Sequence, residues 1–253
     1  MKLIHLSDLH FKSLLKQNIE ILEMFDFIKR NYNDHYLIIT GDITDDGEEI
    51  QYDNAYDVLK NFTGRIFICP GNHDFGTRGS QYSRHKAKLF DQKLSIPLNQ
   101  NDFFFGDDNP VINRIKKGPV KVLLIAIDSN LETSNTFDFA CGEVGIYQLE
   151  YLDKFLAEKS TGKHTIIIFM HHHPFIYNNP FMKLKDADVF MRTIQDRADI
   201  LLFGHDHKSD IWHNKYGLKY ILASDDSPGK YYVREIIIGK NHEIFINNIK
   251  INY

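Results

Sequence analysis

Six short apolar runs, separated by segments of helical character, constrain the fold of this chain more than any other feature of its sequence. Most of these runs are continuously apolar, a pattern typical of strands that are buried on both faces. Strands of this kind that alternate with helices indicate an α/β fold. The predicted strands are Lys2–Leu6, Tyr36–Thr40, Arg65–Cys69, Val120–Ile127, Thr165–Met170 and Ile200–Phe203.

Apolar residues at helical spacing predict helices between these strands. One helix is indicated by Ile19, Leu22, Phe25 and Ile28, and another by Ile146, Leu149, Leu152 and Leu156. The C-terminal segment lacks helical spacers and predicts closing antiparallel strands. These strands are Leu218–Ala223, Tyr231–Ile238 and Glu243–Lys250.

The chain is expected to form a single domain, 1–253, because no repeat or linker marks a boundary within it. A chain of 253 residues can bury a sizeable core. The stretch at about 75–119 is polar and irregular, and it contains the aromatic run Phe103-Phe104-Phe105. We interpret this stretch as a cap inserted into the domain.

Composition limits the partners and the compartment. The formal net charge of -4 disfavours a large basic surface, so nucleic acid is possible as a partner but not favoured. No run approaches the roughly 20 apolar residues that span a bilayer, and no membrane partner is expected. Cys69 and Cys141 form no CxxC pair, so the sequence predicts neither a disulfide framework nor a thiolate metal site. A cytoplasmic location is expected, since the N-terminus does not resemble a secretory signal.

Clusters of Asp, His and Asn follow five of the predicted strands. The residues are Asp8 and His10, Asp42, Asn72 and His73, His171, and His205 and His207. Because the carboxyl ends of strands in an open α/β sheet meet at one crevice, we expect these side chains to converge. Gly41, Gly71 and Gly204 each precede a cluster, where the chain must turn sharply.

Imidazole nitrogens and hard oxygens without sulfur suit Mn, Fe, Zn, Ni or Co. Asp42 stands alone in its cluster and has two carboxylate oxygens, so it is the natural candidate to bridge two cations. Two metals about 3.5–4 Å apart would then clamp the attacking and leaving oxygens of an ester.

The same clusters carry a family resemblance. The signature of calcineurin-like metallophosphoesterases resembles Asp8-Leu9-His10, Gly41-Asp42, Gly71-Asn72-His73-Asp74, His171-His172-His173 and Gly204-His205-Asp206-His207, over about residues 1–210. The resemblance implies a two-sheet β-sandwich flanked by helices. It implies one metal held by Asp8, His10, Asp42 and His207, and another held by Asp42, Asn72, His171 and His205.

Within this resemblance His73 matches the histidine that stabilises the transition state or protonates the leaving oxygen, and Asp74 is expected to orient it. The block His171-His172-His173 offers two possible ligands. We choose His171, which directly follows its strand, with His172 as the alternative. His172 and His173 are otherwise interpreted as substrate contacts or supporting groups.

The implied reaction is hydrolysis of a phosphoester by a metal-bound hydroxide. A small phosphodiester such as a cyclic nucleotide is the leading substrate, because the chain resembles the branch that includes class III cyclic-nucleotide phosphodiesterases. The alternatives are a phosphomonoesterase or phosphatase, a nuclease, and a non-enzymatic scaffold. The oligomeric state is not indicated by the sequence.

Two other sets of residues have two interpretations each, and a third has one. Arg78, Arg84 and His85 follow the third cluster closely enough to reach a phosphate, or they are solvated. Asp128-Ser129-Asn130 ends a strand and touches the site, or it caps a turn. The stretch Ser224-Asp225-Asp226-Ser227-Pro228-Gly229 is interpreted as a loop.

Overall fold

A computed structural model describes residues 1–100, 102–106, 109–131, 140–158, 164–227 and 232–251. Two β-sheets of five and six strands account for most of the strand residues in these ranges. Helices lie along the chain between the parallel strands. The predicted α/β class and two-sheet architecture are confirmed.

The first sheet has the order β13-β12-β1-β2-β3. Its strands are β1 (Lys2–Leu6), β2 (Tyr36–Thr40), β3 (Ile66–Cys69), β12 (Tyr232–Ile238) and β13 (Ile244–Lys250). β1, β2 and β3 are parallel, with Leu3 opposite Tyr36 and Leu37 opposite Ile66. β12 pairs antiparallel with both β1 and β13, so the C-terminal hairpin closes this sheet.

The second sheet has the order β10-β11-β9-β8-β7-β6. Its strands are β6 (Val111–Lys117), β7 (Val120–Ala126), β8 (Thr165–Phe169), β9 (Ile200–Phe203), β10 (Asp210–Lys215) and β11 (Leu218–Ala223). The four central strands are parallel, and β6 and β10 are antiparallel edge strands. In both sheets the parallel strands therefore place their carboxyl ends at one edge.

Six α-helices and a small hairpin complete the described elements. The helices are α1 (Ile19–Asn31), α2 (Glu49–Leu59), α3 (Asn72–Phe75), α4 (Arg84–Phe90), α5 (Ile146–Glu158) and α6 (Ala187–Ile194). The hairpin consists of β4 (Gly76–Thr77) and β5 (Gln81–Tyr82). Short 3-10 turns span Leu15–Gln17 and Lys60–Phe62, and a π-helical turn spans Asp91–Ser95. None of the described helices combines the length and apolar character that crossing a bilayer requires.

Alternate residues of β7 explain why its sequence is continuously apolar. Val122 and Leu124 belong to the core that also contains residues of the first sheet, α1 and α2. Leu123 and Ile125 belong to a second core that contains residues of α5 and α6. Each face of the second sheet thus has its own apolar partner, as the unbroken apolar runs predicted.

The structure corrects three details of the prediction. β11 pairs parallel with β9 and lies in the second sheet, so only β12 and β13 form the expected antiparallel pair of closing strands. The helices at Ile19 and Ile146 exist, but these two side chains are 52% and 59% exposed. The buried face of α1 is formed by Ile21, Met24, Phe25 and Ile28.

The stretch predicted as a cap contains regular structure in its described residues. Phe90, Leu94 and Phe104 are buried in the first core, and Asp91 accepts the backbone N–H groups of Phe104 and Phe105. The last residues of the stretch form β6, an edge strand of the second sheet. A capping role for the remaining part stays a prediction.

Candidate metal centre

The predicted ligands all lie at the carboxyl ends of β1, β2, β3, β8 and β9, in loops except for Asn72, which is the first residue of α3. Five of them adopt a left-handed backbone: Asp8, His10, Asp42, His205 and His207 have φ values of 52°, 51°, 49°, 76° and 51°. This conformation is costly for residues other than glycine and is often found where a site must hold side chains in fixed directions. The local backbone therefore indicates a functional site.

Two glycines allow the loops to approach one another. A β-carbon at Gly71 would overlap the Asp42 carboxylate, and one at Gly204 would overlap Ser7 and the Asp8 carboxylate. The predicted requirement for glycine at these two turns is thus explained by close contacts between neighbouring strand ends.

One group of side chains contains Asp8, His10 and His207, whose possible ligand atoms all lie within 4.8 Å of one another. Asp8 is buried, and its Oδ1 lies 3.5 Å from His207 Nε2. Neither ring nitrogen of His10 has a hydrogen-bond partner among the described residues, although both atoms are buried. Buried polar atoms without a partner are costly, and a cation would satisfy the lone pair of such a ring.

A second group gathers around His171. Its Nδ1 donates to the Thr40 carbonyl at 2.8 Å, so Nε2 carries the lone pair of the neutral ring. This Nε2 lies 2.9 Å from Asn72 Oδ1, 3.2 Å from Asp42 Oδ2 and 3.2 Å from His205 Nδ1. His205 Nε2 donates to the Met182 carbonyl at 3.2 Å, which leaves the His205 lone pair on Nδ1. Four electron-rich atoms therefore converge on one point.

Asp42 lies between the two groups. Its Oδ2 is 3.9 Å from His10 Nε2 and 3.2 Å from His171 Nε2. Its Oδ1 accepts the backbone N–H of His73 at 2.9 Å. One oxygen of the carboxylate thus lies near both groups, and its bridging role stays a prediction.

The Asp42 carboxylate in the second group favours a positive charge beside it. Burial lowers the pKa of His171, but the Asp42 carboxylate outweighs burial and raises that pKa to about 9. Burial would raise the pKa of Asp42, yet His171 brings it well below its ordinary value. Burial and the neighbouring His171 lower the pKa of His205 to about 3. A proton on His171 supplies the positive charge that a metal ion would supply in its place.

The pKa values in the first group, Asp8, His10 and His207, are shifted as well. Burial raises the pKa of Asp8. A hydrogen bond with Asp226 is the main cause that raises the pKa of His207 to about 9. Taken together, the unpartnered His10 nitrogens and the converging lone pairs fit two divalent cations bound through nitrogen and oxygen.

His73 lies beside both His10 and Asp42, and these three residues also form a group with possible ligand atoms within 4.8 Å. The His73 and His10 rings are 4.7 Å apart in an edge-to-face arrangement. Nδ1 of His73 donates to the Asp45 carbonyl at 2.7 Å, which leaves Nε2 as the atom that can face a substrate.

Asp74 has a different environment from the one we expected. Its carboxylate accepts the backbone N–H groups of Ile43, Thr44 and Gly71 at 3.2, 2.8 and 2.9 Å, and the Thr44 hydroxyl at 2.9 Å. The contact that orients His73 comes from the Asp45 carbonyl instead. Asp74 therefore joins the Asp42 loop to the Gly71 loop. Burial raises its pKa to about 6.

The other two histidines of the His171–His173 block belong to no group of possible ligand atoms among the described residues. His172 Nδ1 lies 2.8 Å from Ser129 Oγ, and burial holds its pKa well below the ordinary value. His173 packs against the Phe203 ring, with ring centroids 4.6 Å apart. Asn130 donates to the Pro70 carbonyl at 3.1 Å, just before the Gly71 turn. The Asp128–Asn130 stretch therefore contacts two loops of the site, through His172 and through Pro70.

Sequence reasoning missed several groups that orient the candidate ligands. The carbonyls of Thr40, Asp45 and Met182 accept hydrogen bonds from His171, His73 and His205, and any residue type could supply such an oxygen. Asp226 was interpreted as part of a loop, but its Oδ1 lies 2.5 Å from His207 Nδ1. Its acidic side chain was the only available signal.

Comparison with known proteins agrees with this geometry. The sequence model of the calcineurin-like phosphoesterase family matches residues 1–209. A protein of Coxiella burnetii named probable cyclic nucleotide phosphodiesterase is 27% identical over 234 residues, covering 87% of this chain and 79% of the relative. A protein of Rhodopseudomonas palustris with the same description is 26% identical over 248 residues, covering 89% and 81%.

A solved structure shares the fold at low sequence identity. The crystal structure of a dimetal phosphatase from Danio rerio superposes with a TM-score of 0.70 at 15% identity, covering 99% of this chain and 96% of that one. The likeness extends over both sheets, since nearly the whole chain is covered. With the family match over residues 1–209, it follows that this chain belongs to the calcineurin-like phosphoesterase family.

Proposed function

We propose that this protein is a dinuclear metal-dependent phosphodiesterase that acts on a cyclic nucleotide or another small phosphodiester. The observation that carries the proposal is the position of Asp42, whose Oδ2 lies 3.9 Å from His10 Nε2 and 3.2 Å from His171 Nε2. A carboxylate between two groups of nitrogen and oxygen donors is the arrangement that a two-metal hydrolase requires.

The residues divide into two sets of ligands around this carboxylate. Asp8, His10, Asp42 and His207 would hold one cation, and Asp42, Asn72, His171 and His205 would hold the other. The donor atoms suit Mn, Fe, Zn, Ni or Co. When bound, the two cations would supply a nucleophilic hydroxide near neutral pH and neutralise charge on the phosphoryl oxygens.

The protein's own groups fix the directions of the reacting partners. Asn72 donates its Nδ2 to the Gly79 carbonyl at 2.9 Å, which turns its Oδ1 toward His171. His73 is fixed through Nδ1, and in its protonated form Nε2 donates to a phosphoryl oxygen or to the leaving oxygen. Donors that are aimed before the reaction begins stabilise developing charge without reorganisation.

The diester preference is supported by the two relatives named probable cyclic nucleotide phosphodiesterases. The fold neighbour named a dimetal phosphatase supports monoester hydrolysis as the second candidate. A nuclease and a non-enzymatic scaffold remain weaker alternatives, because the net charge is -4 and all the expected ligands are present. The cytoplasmic location stays a prediction.

The test compares substrates on metal-stripped protein that has been resupplied with Mn, Fe, Zn, Ni or Co. Hydrolysis of bis-p-nitrophenyl phosphate, p-nitrophenyl phosphate, cyclic AMP and single-stranded DNA is measured for the native protein and for Asp42→Asn. We expect diester turnover that the substitution abolishes. Monoester preference would assign a phosphatase, and DNA cleavage a nuclease. Bound metal without turnover on any ester would favour the scaffold.

A further inference from the structure

His207 differs from the other histidines of the centre in the group that fixes its ring. His171, His205 and His73 each contact a backbone carbonyl through one ring nitrogen. His207 Nδ1 instead lies 2.5 Å from the Asp226 carboxylate. The partner of His207 is therefore a charged side chain, and its identity can be changed by substitution.

The loop that carries Asp226 is attached to the loop that carries Asp8. Ser227 donates its backbone N–H to the Ser7 carbonyl at 2.9 Å, and Ser7 donates its own N–H to Ser227 Oγ at 3.2 Å. Ser7 directly precedes Asp8, whose Oδ1 lies 3.5 Å from His207 Nε2. One rigid connection thus fixes Asp226 and Asp8 on opposite nitrogens of the same ring.

A buried arginine fixes the start of this loop. Arg234, on β12 of the first sheet, donates to the carbonyls of Ala223 and Asp210 at 2.5 and 3.1 Å. Ala223 ends β11, and the Asp226 loop follows it. The position of Asp226 is therefore determined by the contact between the two sheets.

We propose that Asp226 is a positioning residue for His207, and that binding of a cation by Asp8, His10 and His207 depends on it. The carboxylate retains the proton of His207 on Nδ1 and directs the lone pair of Nε2 toward Asp8. Its negative charge also strengthens the ring as an electron donor. The inference rests on the proposed function, because it assumes that these three residues hold a metal.

This assignment makes the two metal positions unequal. The position that contains His171 and His205 is oriented by backbone carbonyls and is buried, whereas the side chain of His207 is 45% exposed and that of Asp226 is 55% exposed. Asp226 also lies beyond residue 209, where the family match ends. The C-terminal part of the chain would therefore control one of the two cations.

The experiment uses the full chain, stripped of metal and titrated with Mn²⁺ alone. Bound metal is counted by equilibrium dialysis, and electron paramagnetic resonance distinguishes a coupled Mn pair from a single isolated Mn ion. The variants are Asp226→Ala and Asp226→Asn, with Asp225→Asn as the adjacent control. Loss of the orienting carboxylate is expected to weaken the binding of one Mn²⁺ by about 10–100-fold.

The expected result is a coupled pair in the native protein and in Asp225→Asn, and a single-ion spectrum in Asp226→Ala at the same Mn²⁺ concentration. Asp226→Asn should lie between them, since its amide oxygen keeps an acceptor without the charge. Urea unfolding of the metal-free proteins should change only slightly, because the His207–Asp226 ion pair is about half exposed and is screened by solvent. Native-like affinity for both ions in both Asp226 variants would overturn the inference. A native protein that binds no Mn pair would instead overturn the proposed function.

Discussion

His171 Nδ1 donates a hydrogen bond to the Thr40 carbonyl oxygen at 2.8 Å, and this bond turns Nε2 toward Asn72 and Asp42. The next residue also bonds through Nδ1, but its partner is a side chain. His172 places Nδ1 against Ser129 Oγ at 2.8 Å, and its Nε2 has no hydrogen-bond partner among the described residues. Both adjacent histidines therefore leave Nε2 outside these bonds, but only His171 belongs to a group of possible ligand atoms among the described residues.

This difference predicts opposite results for the same substitution at the two positions. Asparagine replaces the Nδ1 function of histidine but removes Nε2. His171→Asn should lose one equivalent of metal and at least about 100-fold in turnover, since a bound cation contributes several kcal/mol to transition-state stabilisation. His172→Asn should keep both metals. Metal analysis and diester hydrolysis are measured for both variants. Loss of metal and turnover in His172→Asn but not in His171→Asn would make His172 the ligand.

The second prediction concerns Gly79, in the hairpin that follows the third cluster. Its φ is +67°, and a β-carbon there would approach His73 Nε2 to 2.6 Å while overlapping the Asn72 amide. Gly79→Ala should lower kcat by about 100-fold, because displacement of a catalytic group by about 1 Å has an effect of that size. Hydrolysis of bis-p-nitrophenyl phosphate measures the effect.

Gly118→Ala is the matched control for this substitution. Gly118 has φ +60° but no neighbouring atom within 4 Å of an added β-carbon. The control therefore carries a similar backbone strain and no clash with the site. Equal turnover in the two variants would show that Gly79 contributes only backbone conformation.

The third prediction distinguishes a structural role of Asp74 from a role in orienting His73. The Asp74 carboxylate accepts four hydrogen bonds from the two neighbouring loops, and an asparagine would turn an N–H group toward one of those donors. Asp74→Asn should therefore lower the free energy of unfolding by about 1–3 kcal/mol. Urea denaturation provides the measurement. Unchanged stability with turnover reduced as in His73→Asn would restore the orienting role that the family resemblance implied.

The fourth prediction is a pH dependence that arises from His5. This buried ring bonds the Thr40 hydroxyl through Nε2 at 2.9 Å, and its Nδ1 has no partner in the described structure. Burial, aided by the charge of Arg234, holds the pKa of His5 well below its ordinary value of 6.5. In the folded protein the ring is therefore neutral at pH values where the unfolded chain takes up a proton.

The sign follows from this difference. The contribution of the neutral His5 ring to the free energy of unfolding is fully present above about pH 6.5. It is lost as the pH falls below that value, by up to about 1.4 kcal/mol per pH unit. His5→Gln keeps a donor toward Thr40 and removes the titration, so its loss of stability from pH 7 to pH 5 should be smaller than that of the native protein. His213→Gln, at an exposed position, is the control. Equal acid sensitivity of native protein and His5→Gln would contradict the prediction.

The strands that are apolar on both faces could be predicted almost to the residue. The bounds of β1, β2 and β9 agree with those expected, because burial on two faces requires an unbroken apolar run. The edge strand β10 carries mostly exposed or half-buried residues and had no such signal. The buried face of helix α2 consists of Gln51, Tyr52, Ala55 and Leu59. This face contains too few strongly apolar residues for the helix to be recognised from the sequence pattern.

The candidate site was predictable where it depends on strand ends and unpredictable where it depends on loop geometry. Asp8 and Asp42 follow neighbouring parallel strands of the first sheet, whereas His171 follows β8 of the second sheet, so the site lies where the carboxyl edges of the two sheets meet. The partners of the rings are fixed by contacts across the two sheets. Asp226 reaches His207 because the Ser227 loop docks on Ser7, a relationship that no spacing along the chain encodes.

The most direct test of a two-metal centre is an anomalous-diffraction crystal structure of the protein loaded with Mn²⁺. The account predicts two anomalous peaks on either side of the Asp42 carboxylate, one contacted by Asp8, His10 and His207 and the other by Asn72, His171 and His205. A single peak, or two peaks that do not share Asp42, would contradict it.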